Sequence, residues 1–280
     1  MPGDRTPRPT VEQLVHWGNG RTGAPASLLN RRIGKVWNDS RKVKRGDVFV
    51  AVETDRDDGH RYIPDALKAG ALAVIAARRK EHLVPVKLRS RLILVNDPVV
   101  ALQRMGAAYR KEMGILIVGI TSSNGKTTTR SFMGSVLGEF FPLGETWSNW
   151  NNHLGVPLSL LRFAGDEWLG VIEMGANHLH EIHTLSCIAR PDIAVITNIG
   201  YAHIGMFGSL AGTTAGKFEI ADGLNPKGFL LLNGDDRRLV SHARTIKRTC
   251  YFFGTSPRCH IRARDITMTP DFRMRFTVDG

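Results

Sequence analysis

Ile115-Leu-Ile-Val-Gly-Ile-Thr-Ser-Ser-Asn-Gly-Lys-Thr-Thr-Thr129 decides how the rest of the chain is read. Residues 115–120 are a continuous apolar run, the kind that fills a parallel strand buried on both faces. A Gly/Ser/Asn loop follows, and residues 126–137 then predict a helix. A loop so placed can wrap backbone N–H groups round a phosphate at the positive end of the helix. Lys126 would reach the β/γ-phosphates and the Thr127 hydroxyl would sit on Mg²⁺. Thr121, Ser123, Asn124, Gly125 and Thr128 complete the candidate cradle. The bland alternative is a bare strand-to-helix turn, and the strand–loop–helix context argues against it. The stretch is not a strict P-loop, because Ile120 stands six positions before Lys126 where that motif has glycine.

Downstream, apolar strands recur at 169–172, 193–197 and 229–232, with helices expected at 179–189 and 214–222, the second stopped by Gly223. Upstream, a short helix is expected at 10–17. Strands follow at 47–52, 71–76 and 92–95, with a helix at 64–69 that ends at Gly70. Strands alternating with helices imply an α/β protein with a mostly parallel sheet covered on both faces. Two domains are expected: a small N-terminal α/β domain over 1–112 and a mostly parallel phosphate-loop domain over 113–280. Residues 261–280 read as alternating strand residues running to the last position, so the second domain reads as incomplete at its C-terminus.

Hydrophobic residues make up 42% and charged residues 23% of the chain, which suits a soluble globular protein. No apolar run is long enough to span a membrane, and the polar start MPGDRTPRPT is unlike a signal peptide. Three scattered cysteines (Cys187, Cys250, Cys259) make neither a disulfide framework nor a zinc knuckle, so a reducing cytoplasm is the expected location. The net charge of +12 would suit nucleic acid, an anionic membrane surface or phosphate-bearing substrates. No aromatic residues alternate with the basic clusters, so a solvated basic surface is favoured over a base-stacking platform.

Several separated segments carry a family resemblance. Asn38-Asp-Ser-Arg-Lys-Val-Lys-Arg-Gly-Asp-Val-Phe-Val-Ala51 and Asp58-Gly-His60 resemble the nucleotide-sugar domain of the Mur ligases, and Thr146-Trp-Ser-Asn-Trp-Asn-Asn-His-Leu-Gly-Val-Pro157 their substrate-side loop. Val171-Ile-Glu-Met-Gly-Ala-Asn-His178, Ala189-Arg-Pro-Asp192, Asn198-Ile-Gly-Tyr-Ala-His203, Phe207-Gly-Ser-Leu210, Lys217-Phe-Glu-Ile220 and Asn233-Gly-Asp-Asp236 continue the series. The phosphate loop resembles the family variant G-x-T-G-x-x-G-K-T, with Ser122 where the pattern has glycine. If that position needs a positive φ, serine there costs about 1 kcal/mol or more.

The resemblance implies an ATP-dependent amide ligase of peptidoglycan precursor synthesis. Order and spacing are nearest to the branch that joins D-Ala-D-Ala to a UDP-MurNAc-peptide through an acyl phosphate. ATP and two Mg²⁺ ions are the implied cofactors. By resemblance Glu173 shares a Mg²⁺ with Thr127, although a buried strand-end carboxylate can instead be paired with an arginine. His203 matches a second magnesium ligand. Lys217 stands where family members carry a carbamylated lysine, which is anionic and helps hold metal. Lys126, Lys217 and His203 are thus the catalytic candidates, and Thr127, Glu173, His203 and Lys217 the metal candidates. Ser40 and Arg41 match the segment that holds the uridine nucleotide, where Arg suits a diphosphate by its bidentate donors. Gly59 and His60 either shape that site or only make a turn. Asn149, Asn151 and Asn152 are the candidate contacts to the peptide-bearing substrate.

These 280 residues leave no room for the family's C-terminal domain or its adenine-contact segment. The chain by itself is therefore expected to be inactive or very weak as a ligase, with the missing domain supplied by the rest of a longer protein. Two other readings stand beside this one: a non-catalytic module that holds a UDP-sugar or ATP, and a basic phosphate-loop protein acting on nucleic acid, which charge alone favours.

Overall fold

The computed structural model describes residues 7–201 and 204–280. They fall into two compact units, one of residues up to Ile115 together with Thr146–Trp168, the other of Leu116–Glu145 and Leu169–Gly280. The single division expected between 112 and 113 therefore omits a returning segment. Residues 146–168 belong with the first unit because their helix, Gly155–Leu160, is buried throughout and packs on the helix Pro98–Met113.

The first unit holds a four-stranded parallel sheet, β1 (Val36–Trp37), β2 (Val48–Val50), β3 (Ala73–Ala77) and β4 (Leu92–Val95), in that spatial order. All five residues of β3 are buried, as the continuous apolar run 71–76 predicts. The helix after β4, Pro98–Met113, is one that the apolar pattern did not reveal. Pro98-Val-Val reads as non-helical and Gly106 interrupts the run, yet both end signals are present. The Asp97 side chain accepts the N–H groups of Val99 and Val100, Pro98 sits in the first turn, and Gly114 closes the helix at φ +62°. Tyr109, fully buried in it, donates its hydroxyl to the Phe163 carbonyl at 3.2 Å.

The second unit holds eight strands: β5 (Leu116–Thr121), β6 (Leu143–Glu145), β7 (Leu169–Glu173), β8 (Ile193–Ile196), β9 (Phe229–Asn233), β10 (Cys250–Gly254), β11 (Ile261–Met268) and β12 (Met274–Asp279). Their order is β12-β11-β10-β9-β8-β5-β7-β6, parallel everywhere except the β11–β12 pair. Residues 261–280 are thus an antiparallel pair of strands rather than one run. The turn at 269–273 is built by Thr269, whose hydroxyl meets Asp271 Oδ1 at 2.6 Å and the Arg273 carbonyl at 2.9 Å. The helix expected at 214–222 spans Leu210–Phe218, since Ser209 caps it by accepting the Gly212 N–H at 3.0 Å. A 3₁₀ turn, Glu219–Ala221, then carries the chain to Gly223. Strand β5 lies between β7 and β8, so successive connections leave it in opposite directions. Ligands of open parallel sheets gather at the carboxyl ends of such strands.

At Gly106 the helix Pro98–Met113 lies close against the helix Gly155–Leu160. A methyl group there would come within 2.7 Å of Pro157 Cβ and 2.8 Å of its Cα. Gly106→Ala gains about 0.5–1 kcal/mol of helix propensity, but overpacking costs about 1–3 kcal/mol. A net loss of stability is expected in urea denaturation, and an unchanged or higher midpoint would show that the contact relaxes freely.

Candidate functional site

The loop after β5 is held by its neighbours before any ligand arrives. Asn198, just beyond β8, takes the Asn124 N–H on Oδ1 at 3.1 Å, gives Nδ2–H to the Asn124 carbonyl at 2.8 Å, and accepts the Ser123 N–H on its own carbonyl at 3.2 Å. Ser123 Oγ and Gly200 bond reciprocally, the Gly200 N–H to Oγ at 2.8 Å and Oγ to the Gly200 carbonyl at 3.2 Å. The amides of Ser123 and Asn124 are thus spent on Asn198, and these two expected cradle residues fix the loop through their backbones. The open donors are those of the helix Lys126–Leu137, whose first-turn N–H groups have no intrahelical partner. Gly125, at φ +80°, makes the entry that only glycine adopts without strain.

Ser122 is buried and its φ is not positive, so the strain considered for serine there is absent. Its hydroxyl instead donates to the Asn124 carbonyl at 2.7 Å, adding a brace that glycine lacks. Thr121 Oγ1 is buried without a protein partner.

Four charged side chains lie here: Lys126, Glu173, Arg130 and Lys217. Lys126 Nζ donates to the Ser122 carbonyl at 2.9 Å, and burial pulls its pKa down while Glu173 pulls it back up. Glu173 ends β7 almost fully buried, accepts the Thr127 hydroxyl on Oε2 at 3.0 Å, and has Arg130 Nη1 at 3.9 Å from the same oxygen. The carboxylate thus lies beside both the threonine with which it is expected to share a metal and an arginine. Lys217, 1% exposed, lies with Nζ 5.4 Å from the centre of the Phe207 ring. Burial, then the charge of Lys126, bring its pKa down to about 8. His203 lies outside the described residues.

The donors present suit a hard cation that retains waters and shares phosphate oxygens: one hydroxyl and one carboxylate oxygen, with Thr127 and Glu173 already 3.0 Å apart. Among the described residues no group of three or more His, Cys, Asp or Glu side chains is arranged to hold a metal.

In the first unit, an open cleft of about 870 Å³ is lined by Asn38–Lys42, Asp57, Tyr62, Asp65, Ala69 and Trp150. Ser40 and Arg41 stand in it as expected. Arg41 spends its fork on Asp39, Nε to Oδ1 and Nη2 to Oδ2 each at 2.9 Å. Of the loop 149–152, Trp150 rather than an asparagine lines the cleft. Asn152 Oδ1 instead caps the helix Gly155–Leu160 through the N–H groups of Leu154 and Gly155. Sequence reading missed an aromatic cluster here: Trp147 and Trp150 have centroids 4.6 Å apart, with Trp37 5.3 and 5.9 Å away. The Arg162 guanidinium lies 4.4 Å and Lys42 Nζ 4.8 Å from the Trp147 ring centre. The Trp-x-x-Trp spacing of 147 and 150 was the available signal. His60 is structural: buried, it bonds Asp58 through Nδ1 at 2.6 Å and accepts the Ala77 N–H on Nε2 at 2.9 Å.

Sequence and fold comparisons identify the family. Residues 120–280 match the family description "Mur ligase middle domain" and residues 32–110 match "Mur ligase family, catalytic domain". The chain belongs to the Mur ligase family. The UDP-N-acetylmuramoyl-tripeptide–D-alanyl-D-alanine ligase of Bacillus subtilis is 36% identical over 97% of this chain, which covers 58% of that protein. The Acinetobacter baumannii MurF crystal structure superposes with a TM-score of 0.84 at 30% identity, covering 99% of this chain and 59% of that one. MurF of Thermotoga maritima, solved in complex with ADP, gives a TM-score of 0.75 at 31% identity, over 88% of this chain and 55% of that one. The chain spans somewhat over half the length of these relatives. Among the described residues no helix is long and apolar enough to cross a membrane.

Lys217 supplies a test of the buried charge. The folded chain releases its proton near pH 8 and an unperturbed lysine near 10.5. Between those values the unfolded state holds more protons, so stability rises with pH across the window, by up to about 3 kcal/mol. Below pH 8 the buried ammonium is a cost. Lys217→Met is therefore expected to be more stable than wild type at pH 7, with the gap closing toward pH 10. A gap independent of pH would show that this amine titrates normally.

Proposed function

We propose that this chain carries the nucleotide-sugar and ATP-holding parts of an amide ligase of peptidoglycan precursor synthesis, which joins D-Ala-D-Ala to a UDP-MurNAc-peptide. The observation that carries the reading is the Thr127–Glu173 pair, 3.0 Å apart, which joins the first turn of the helix after β5 to the carboxyl end of the adjacent strand β7. Kinship with ligases named for this reaction, one of them solved with ADP, supports it.

In this reading the first-turn amides after Gly125 and the ammonium of Lys126 hold the phosphates of ATP and take up the charge that develops as the γ-phosphoryl moves to the peptide carboxylate. The amine of D-Ala-D-Ala then attacks the acyl phosphate carbon, the amide bond forms and phosphate leaves. Thr127 and Glu173, with His203 and a carbamylated Lys217, are the residues that would hold two Mg²⁺ ions, whose chemistry is to neutralise phosphate charge. Burial and the neighbouring Lys126 favour the neutral amine of Lys217, the form that adds carbon dioxide. Ser40 and Arg41 take the uridine nucleotide in the cleft of the first unit.

ATP titration of the 280-residue polypeptide with Mg²⁺ tests this. Lys126→Ala is expected to weaken ATP binding at least about tenfold, the scale of one lost hydrogen bond to a charged group, and to leave UDP-sugar binding unchanged. Unaltered ATP affinity in that variant would sink the assignment.

A second expectation concerns turnover. Closure by further domains completes the catalytic constellation of such enzymes, and the longer relatives have residues with no counterpart in these 280. The polypeptide assayed alone is therefore expected to bind ATP yet release phosphate far more slowly than a full-length relative under the same conditions. A comparable rate would overturn this.

A further inference from the structure

Three side chains that the ligase reading leaves unused meet on the helix Glu181–Ala189. His183 and Cys187 are four residues apart and so share one face. Cys187 Sγ lies 3.9 Å from His183 Nε2, and the other ring nitrogen, Nδ1, lies 2.8 Å from Asp222 Oδ2. An ionised carboxylate only accepts, so the proton sits on Nδ1 and the Nε2 lone pair is left facing the sulfur. Asp222 is held in place rather than adrift. Ser186 Oγ donates to the Glu219 carbonyl at 3.1 Å and accepts the Gly223 N–H at 3.2 Å, which fastens the Glu219–Gly223 segment to this helix. Glu219 adds to the tie by accepting the His180 and His183 N–H groups at 2.7 and 3.1 Å.

We propose that Cys187 and His183 are a binding site for a soft divalent transition-metal ion of the zinc type, with Asp222 orienting the imidazole. Zinc binds thiolate at about 2.3 Å and imidazole at about 2.0–2.1 Å, so a sulfur–nitrogen separation near the observed one needs an S–metal–N angle of roughly 125°, close to tetrahedral. A carboxylate behind the distal ring nitrogen is the usual support of a metal-bound histidine. Cys187 is exposed, so a hydrated ion reaches the sulfur, and the thiol proton passes to solvent as the metal–sulfur bond forms. Two protein ligands leave the remaining positions to water, which makes this an open and exchangeable site. Thiolate and imidazole donors also set it apart from the oxygen donors at Thr127 and Glu173, where a hard cation fits.

The test is Co²⁺ titration of the reduced 280-residue chain, read by the thiolate-to-cobalt charge-transfer band, with Zn²⁺ competition to follow. The band is expected in wild type, to be erased by Zn²⁺, and to be lost in Cys187→Ser and in His183→Ala. Asp222→Asn is expected to keep the band and weaken binding about 10–100-fold, the cost of losing such a support. Cys187 and His183 are solvent-facing, so these variants leave the core intact. Absence of the band in wild type overturns the proposal. So does a band of undiminished strength in Cys187→Ser, which would move the site to Cys250 or Cys259.

Discussion

Asn198 grips the loop after β5 by three hydrogen bonds, and the chemistry of the second unit depends on that grip. Ordering a flexible residue costs about 1–2 kcal/mol of backbone entropy, and the loop 122–125 is rich in residues with little intrinsic preference. Each hydrogen bond returns about 1 kcal/mol net. The Asn198 contacts, the Ser123–Gly200 pair and the Ser122 brace together offset most of that cost. Asn198 is itself positioned from β9 and from the segment after it. Asn233 Nδ2 donates to the Thr197 carbonyl at 3.0 Å, and Asp236 Oδ2 accepts the Ile199 N–H at 2.9 Å. Residues far apart in sequence thus pre-form a loop whose remaining amides point outward unpaired.

Much of this was legible in the sequence, and the boundary of legibility is physical. The strand at 116–121, the helix at 126–137 and the strand at 92–95 emerged because their patterns are local: an apolar run, a glycine entry, a periodic face. The roles proposed for Lys126 and Thr127 rest on the same local order. The helix Pro98–Met113 stayed hidden because its apolar face is completed by Pro157, fifty residues away, which only the fold brings to Gly106. The aromatic cluster was hidden for the same reason, with Trp37 and Trp147 meeting across a separation that no window spans. Arg41 lines the cleft of the first unit, and its pairing with Asp39 two residues away was not anticipated.

The charges near the loop show why buried polar groups are poor evidence of stability and good evidence of function. Lys217 has no carboxylate within bonding distance among the interactions of the described residues. Its Nζ lies 5.4 Å from the centre of the Phe207 ring, and the charge of Lys126 disfavours its ammonium further. A core selected for stability alone would place an apolar side chain there. Lys126 is held in the same fashion, against a backbone carbonyl rather than a counter-ion. Two desolvated lysines next to helix N–H groups without intrahelical partners raise the local positive potential, which Glu173, Glu181 and Glu219 offset only in part.

That reasoning also reassigns the net charge of +12. Spread over the surface it carries no specificity and is largely screened beyond about 8–10 Å at physiological salt. The few cations that decide binding are the buried ones, where screening is weak and each charge acts on its neighbours at full strength. A phosphate bound to the loop would raise the pKa of both lysines and recover part of their desolvation cost, so binding and folding are coupled through the same two amines. In the proposed reading, the desolvation of Lys126 and Lys217, only partly offset by Glu173, Glu181 and Glu219, is what favours a bound polyanion.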